Sequence, residues 1–159
     1  MSFLVEITPA HSESDLAVIR RLFRAYASSL QVDLCFQGFE EELATLPGRY
    51  AAPNGALWLA KIDGQAVGCI GLRAFSKKEG ELKRLYVLPE QRGRGVARAL
   101  VVKALEGARA AGYTTVVLDT LATMTAAIQL YTSVGFRPAE PYYPNPLPGV
   151  LYFRCVLEG

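Results

Sequence analysis

Along the chain, apolar and polar positions fall into short blocks whose period changes between two and about 3.6 residues. Phe3 to Thr8 makes a strand-like run, which Pro9 ends by withholding a ladder donor. Leu16, Ile19, Leu22, Phe23 and Tyr26 then recur at three- and four-residue intervals, which predicts a helix with one apolar face, capped by Ser12 or Ser14. A second short helix is expected from Phe39 to Leu46, stopped by Pro47-Gly48. Leu57 to Ile62 and Ala66 to Phe75 read as an antiparallel pair, because Asp63-Gly64-Gln65 between them favours a tight hairpin. Glu81 to Leu88 is the fourth strand, closed by Pro89. From Gly95 to Ala110 the period turns helical, with Val96, Leu100, Val101, Ala104, Leu105 and Ala108 on one face and Gly112 as the stop. Thr114 to Leu118 is a β-branched strand and Thr125 to Val134 a helix ended by Gly135. After a loop stiffened by Pro138, Pro141, Pro144, Pro146 and Pro148, the last strand runs from Val150 to Leu157.

Strands alternating with helices give an α/β chain, and 159 residues fit one domain spanning 1–159. The net charge of +2 is too small to drive nucleic-acid binding by phosphate neutralisation, so no nucleic-acid partner is expected. Cys35, Cys69 and Cys155 show no CxxC spacing, and the one histidine, His11, gives them no partner. They read as reduced thiols, and no metal is expected. The first residues lack a basic segment followed by an apolar core, and no apolar run approaches the roughly 18 residues that span a bilayer. A cytoplasmic location without membrane contact is therefore the expectation.

The chemistry concentrates in Gln91-Arg92-Gly93-Arg94-Gly95-Val96-Ala97, where strand turns into helix. A phosphate needs converging donors, and a helix start supplies free N–H groups and the positive end of the dipole. Gly93 and Gly95 let backbone approach closely, while Arg92, Arg94 and Arg98 add charge. The alternative is a plain strand-to-helix turn with solvated arginines. A dinucleotide fingerprint is excluded because the spacing is not G-x-G-x-x-G, and a P-loop because no Gly-Lys-Ser/Thr follows.

Two further segments frame this loop: Leu85-Tyr86-Val87-Leu88-Pro89 before it, and Ala126-Ala127-Ile128-Gln129-Leu130-Tyr131 with Gly135-Phe136 after it. Together they resemble the GCN5-related N-acetyltransferase (GNAT) family. Arg92, Gly95 and Ala97 meet its cradle pattern, and Ala127, Leu130, Tyr131, Gly135 and Phe136 its later segment. The chain departs from the family at Met124, where Asn is frequent.

The resemblance implies a GNAT-like acyl-CoA N-acyltransferase fold, a mixed sheet whose fourth and fifth strands splay, with helices on both faces. It implies acetyl-CoA as co-substrate, with pyrophosphate on the loop from Arg92 through Gly93, Arg94, Gly95, Val96 and Ala97 to Arg98. The pantetheine arm would pair with Leu85, Tyr86 and Val87, and the Val87 amide would polarise the thioester carbonyl. Tyr131 matches the family tyrosine that protonates the CoA sulfur, and Glu81 lies near where relatives place a carboxylate base. The acceptor would be a primary amine of a small molecule or peptide terminus, and a homodimer is reasonable. A non-catalytic CoA-binding or regulatory module of the same fold is the competing reading.

Asp33, Gln37, Tyr142, Tyr143 and Asn145 are expected to wall the acceptor, offering an anion, amides and rings. Asp63 reads as a turn residue, His11 as surface and Trp58 as core. Lys83 and Arg84 flank the fourth strand and read as solvated charge.

Overall fold

The structure is a computed structural model describing residues 4–30, 34 and 38–157. The chain begins with strand β1 (Val5–Pro9) and helix α1 (Glu13–Leu30). Ser12 Oγ accepts the Asp15 N–H at 3.1 Å, so the cap falls to Ser12. Leu16, Ile19, Leu22 and Phe23 turn inwards on α1. Helix α2 (Phe39–Ala44) follows, then a single 3₁₀ turn at Gly48–Tyr50. Next come β2 (Ala56–Ile62), β3 (Gln65–Ala74), β4 (Glu79–Val87), α3 (Val96–Ala110) and β5 (Thr115–Leu121). Helix α4 (Thr125–Ser133), β6 (Arg137–Ala139) and β7 (Val150–Val156) complete the chain.

The strands form one sheet in the order β1-β2-β3-β4-β5-β7-β6. Every pair is antiparallel except β4 with β5. The β2–β3 hairpin turns at Asp63 and Gly64, with φ of 52° and 77°, as the Asp-Gly pair predicts. Two cores result. Helix α3 lies on one face with Trp58, Ile70, Leu72, Leu82, Val116 and Leu118. Helices α1 and α2 cover the other with Leu57, Leu59, Cys69 and Tyr86. Gly107 lets α3 approach the sheet closely: a Cβ there would lie 2.6 Å from the Trp58 ring, so only glycine fits.

Two irregularities in the sheet prepare a site. Strands β4 and β5 are paired only from Glu79↔Thr115 to Glu81↔Val117, beyond which their ladder ends. On the other edge of β4 the register with β3 passes from Cys69↔Tyr86 to Gly71↔Lys83, so Arg84 and Leu85 face the single residue Ile70 in a bulge. Arg84 takes a left-handed φ of 63° there.

The expected mixed sheet with helices on both faces is the observed one. Strand β6 and the 3₁₀ turn after α2 are additions to the sequence reading. Trp58 is core, His11 is exposed, and Cys69 and Cys155 are buried free thiols; Cys35 lies outside the described residues. The solvated-charge reading of Lys83 and Arg84 is overturned, since only 6% and 3% of their surfaces are exposed. Both are held by carboxylates distant in sequence. No described helix is long and apolar enough to cross a membrane.

Candidate functional site

The ladder's early end leaves a cavity of about 70 Å³ between β4 and β5. Lys83, Arg84 and Leu85 line it from β4, Asp119, Thr120 and Leu121 from β5, and Met124, Ala127 and Tyr131 from the start and body of α4. Tyr26 of α1 and Asn145 of the proline-rich loop close it.

Tyr131 is buried, with its ring edge-on to Phe136 at 5.6 Å between centroids. Its hydroxyl makes no hydrogen bond among the described residues. Burial, reinforced by Tyr26 and Asp119, pushes its ionisation well above the ordinary tyrosine value, so it stays a proton donor at neutral pH.

Leu85 and Val87 share the open edge of β4. Leu88 donates to Val67 of β3 at 2.9 Å, so strand alternation turns the Val87 peptide groups away from β3. The Val87 carbonyl there accepts Arg92 Nε at 3.0 Å. Leu85 reaches the cavity, whereas Val87 packs in the core beside α3. Tyr86 points to the opposite core and carries the Arg92 guanidinium 5.6 Å above its ring.

The loop after β4 has the form that its glycines require. Gly93 and Gly95 adopt φ of 79° and 81°, and a Cβ on either would stand in open space. Helix α3 starts at Gly95 without a side-chain cap, and its first backbone bond is Ala99 N–H to the Gly95 carbonyl. The N–H groups of Val96, Ala97 and Arg98 precede that bond and are free of the helix ladder. These open donors suit a diphosphate. Arg94 is steadied by Gln91 at 2.8 Å and Arg98 by Ser133 at 2.9 Å.

A polar wall continues from this cavity. Asp119 Oδ2 accepts the Tyr143 hydroxyl and, at 2.8 Å, Asn145 Nδ2, while Lys83 Nζ stands 3.8 Å from Oδ1. Tyr152 donates to the Tyr143 carbonyl at 2.8 Å and fixes the loop. Glu81 is 2% exposed and accepts Arg73 Nε at 2.9 Å and the Tyr142 hydroxyl at 2.6 Å. Burial and the neighbouring carboxylates raise the ionisation of Tyr142 and Tyr143, which keeps both as donors.

Beneath the β4 bulge, Arg84 forms a fork with Glu42 of α2, Nε to Oε2 at 3.1 Å and Nη2 to Oε1 at 3.0 Å. Tyr50 donates to the same carboxylate at 3.1 Å. Burial raises the Glu42 ionisation, but Arg84, Arg73 and Tyr50 outweigh it and hold the carboxyl below its ordinary 4.5. A depressed folded-state value means that this stabilisation is complete above about pH 4.5 and is lost as pH falls through the folded value. Melting curves from pH 7 to pH 3 should therefore show a steep acid loss. Glu42→Gln should melt lower at pH 7 and lose less on acidification; an unchanged slope would remove Glu42 from the acid transition.

Of the residues expected from the sequence, Leu85, Tyr131 and Asn145 meet at the cavity, and the Arg92 to Arg98 segment forms the neighbouring loop. Glu81, Tyr142 and Tyr143 line an adjoining recess instead. Asp33 and Gln37 lie outside the described residues. Sequence reading missed Asp119, whose signal was a lone acid near the end of an apolar strand, and Arg73 and Tyr152, whose roles depend on tertiary contacts. Among the described residues no group of three or more His, Cys, Asp or Glu could hold a metal ion.

Comparison with known proteins agrees with this geometry. The sequence pattern of the acetyltransferase (GNAT) family matches residues 19–136. An uncharacterised N-acetyltransferase of Schizosaccharomyces pombe is 38% identical over 156 residues, covering 97% of this chain and 96% of that protein. Human N-acetylaspartate synthetase is 37% identical over 120 residues, covering 74% of this chain and 37% of that protein. The solved structure of a Salmonella typhimurium acetyltransferase with its cofactor acetyl-CoA superposes with a TM-score of 0.69 at 19% identity, covering 97% of this chain and 94% of that one.

Proposed function

Because the chain belongs to the acetyltransferase (GNAT) family, we propose that it transfers an acetyl group from acetyl-CoA directly to a primary amine of a small molecule or peptide terminus. The observation that carries this reading is the cavity at the β4–β5 split, which brings a buried tyrosine whose hydroxyl has no hydrogen-bond partner among the described residues, a carboxylate and the open edge of a strand to one place. The human relative, an N-acetylaspartate synthetase, supports a small-molecule acceptor.

The amides at Gly93, Gly95, Val96 and Ala97, with Arg92, Arg94 and Arg98 around them, would hold the diphosphate, and the open edge of Leu85 to Val87 would pair with the pantetheine arm. When bound, the thioester supplies an activated acetyl group: the amine nitrogen bonds the carbonyl carbon as the carbon–sulfur bond breaks. Because Leu85 lines the cavity, we assign to its N–H, rather than to that of Val87, the donation to the carbonyl oxygen where charge develops; Val87 would sit one step along the arm. Tyr131 gives its proton to the leaving sulfur. The acceptor ammonium sheds one proton before attack and a second as the amide forms; with one proton returned to sulfur, one is released per turnover.

Two carboxylates are candidates for receiving the amine's protons. Glu81 has each oxygen engaged, by Arg73 and by Tyr142. Asp119 lines the same cavity as Tyr131, and among the described residues its Oδ1 meets only the 3.8 Å Lys83 contact. Asp119 is therefore our choice of base, and Glu81 the brace that holds the Arg73–Tyr142 wall. Asp119→Asn should lower kcat by about tenfold or more, and Glu81→Gln should act chiefly through stability. The reverse ranking would return the role to Glu81.

The test is purified protein with acetyl-CoA and an amine panel, following thiol release and product mass. Acetylated amine in step with free thiol supports transfer. A melting temperature raised by acetyl-CoA with no turnover on any amine would favour a non-catalytic module, and no stabilisation at all would sink both.

A further inference from the structure

A second recess of about 290 Å³ adjoins the β4–β5 cavity, and Lys83 lines both. Its remaining lining is Arg49 from the 3₁₀ turn, Arg73 and Phe75 from the end of β3, Glu81, and Tyr142 and Tyr143 from the proline-rich loop. We infer that this recess binds a carboxylate of the acceptor, making the acceptor an amine that also carries an acid, of the amino-acid class. The inference rests on the transfer reading only for the position of the amine.

The hydrogen-bond inventory gives the recess its preference. Each nearby acid is already supplied with donors: Glu81 by Arg73 and Tyr142, Glu42 by Arg84 and Tyr50, Asp119 by Tyr143 and Asn145. The arginines are not used up in return. Arg73 spends Nε on Glu81, and its Nη1 stands 3.8 Å from Glu42, beyond hydrogen-bond reach, so both terminal nitrogens keep their donors among the described residues. Arg49 spends one Nη2 bond on the Ala74 carbonyl at 3.1 Å and keeps the rest of its fork. Lys83 is the third cation of the lining, but it faces Asp119 at 3.8 Å, so the spare donors of the recess are those of Arg73 and Arg49. A recess with spare guanidinium donors and its own acid satisfied complements an anion, and a planar carboxylate fits the fork of an arginine.

The shared Lys83 sets the geometry of the acceptor. Its amine end would lie towards Asp119 and Tyr131 and its acid end towards Arg73 and Arg49, with the Phe75 and Tyr142 rings, packed edge-on at 4.8 Å, forming one side of the recess. Arg49 is exposed, so its replacement tests the recess without disturbing the core.

The experiment compares kcat/KM for glycine and β-alanine with that for glycinamide and β-alaninamide, which keep the amine and lose the acid, at saturating acetyl-CoA. The wild-type protein should favour the acids. Arg49→Gln should cut the acid-to-amide ratio by about tenfold or more, chiefly through KM, and Arg49→Lys should recover part of it. In parallel, glutarate, a dicarboxylate without an amine, is titrated calorimetrically into the CoA-bound protein, where Arg49→Gln should weaken its binding by a similar factor. Equal use of acids and amides, an equal effect of Arg49→Gln on both, or glutarate binding indifferent to Arg49 would overturn the inference. If glutarate binding depends on Arg49 while no amine is acetylated, the carboxylate recess stands and the transfer reading falls. Acetylation of amines with no Arg49 dependence does the opposite.

Discussion

Tyr131→Phe should lower kcat by about 10²–10³-fold while leaving the KM for acetyl-CoA within a few-fold. The substitution keeps the ring against Phe136 and removes only a hydroxyl that has no hydrogen-bond partner among the described residues, so the fold loses little. On the proposed mechanism, what it removes is the proton that the departing sulfur needs. The sign of the pH dependence follows from the same environment. A donor must be protonated, and burial moves Tyr131 above its ordinary 10.0, so no alkaline loss of kcat from this group should appear below about pH 10. A fall centred near pH 7 that vanished in Tyr131→Phe would contradict the burial effect, and full turnover by the variant would remove Tyr131 from the mechanism.

The largest effect on stability should come from Arg84. Arg84→Ala strips the fork from Glu42 and leaves a largely buried carboxylate facing Tyr50 and a 3.8 Å arginine contact, a change of about 3–5 kcal/mol for broken buried pairs. Urea denaturation measures it. Arg84→Gly should be less harmful than Ala by about 1 kcal/mol, because glycine relieves the φ of 63° while losing the same pair. Adding Glu42→Gln to Arg84→Ala should restore part of the loss, since no unpaired charge then remains. Additive effects of the two substitutions would show that the pair contributes nothing beyond its separate side chains. The prediction reaches function as well, because Arg84 begins the bulge that presents Leu85 to the cavity.

Arg84 also shows where sequence reading stops. Period, caps and turn residues disclosed the helices and the β2–β3 hairpin, and the Gly93 and Gly95 spacing disclosed the loop at the start of α3, because each signal lies within a few neighbouring residues. Lys83 and Arg84, by contrast, are consecutive in a strand, where alternation sends neighbours to opposite faces. The bulge lets both line one cavity, and their carboxylate partners lie 36 and 42 residues away. Charge alone argued for solvent; the partners could be found only in the folded chain. Glu81 and Tyr142, 61 residues apart, are a similar case. Strand β6 escaped notice because three residues containing Pro138 carry no alternation to read. Asp119 was visible as a residue but not as a site, since its meaning comes from the ladder ending two residues earlier at Val117.

The recess beside the cavity has the same character. Arg49, Arg73 and Lys83 come from a 3₁₀ turn and two strands, and no local motif joins them. On the proposed reading, their convergence would separate two tasks along one wall, proton transfer around Asp119 and Tyr131 and acceptor selection around Arg49 and Arg73.

A crystal structure of the protein with CoA reads the division of labour along the cofactor in one measurement. The diphosphate should lie within hydrogen-bond distance of the N–H groups from Gly93 to Ala97, the arm should pair with the open edge between Leu85 and Val87, and the sulfur should come to rest beside the Tyr131 hydroxyl. A diphosphate seated away from the α3 start, or a sulfur outside the β4–β5 split, would contradict it.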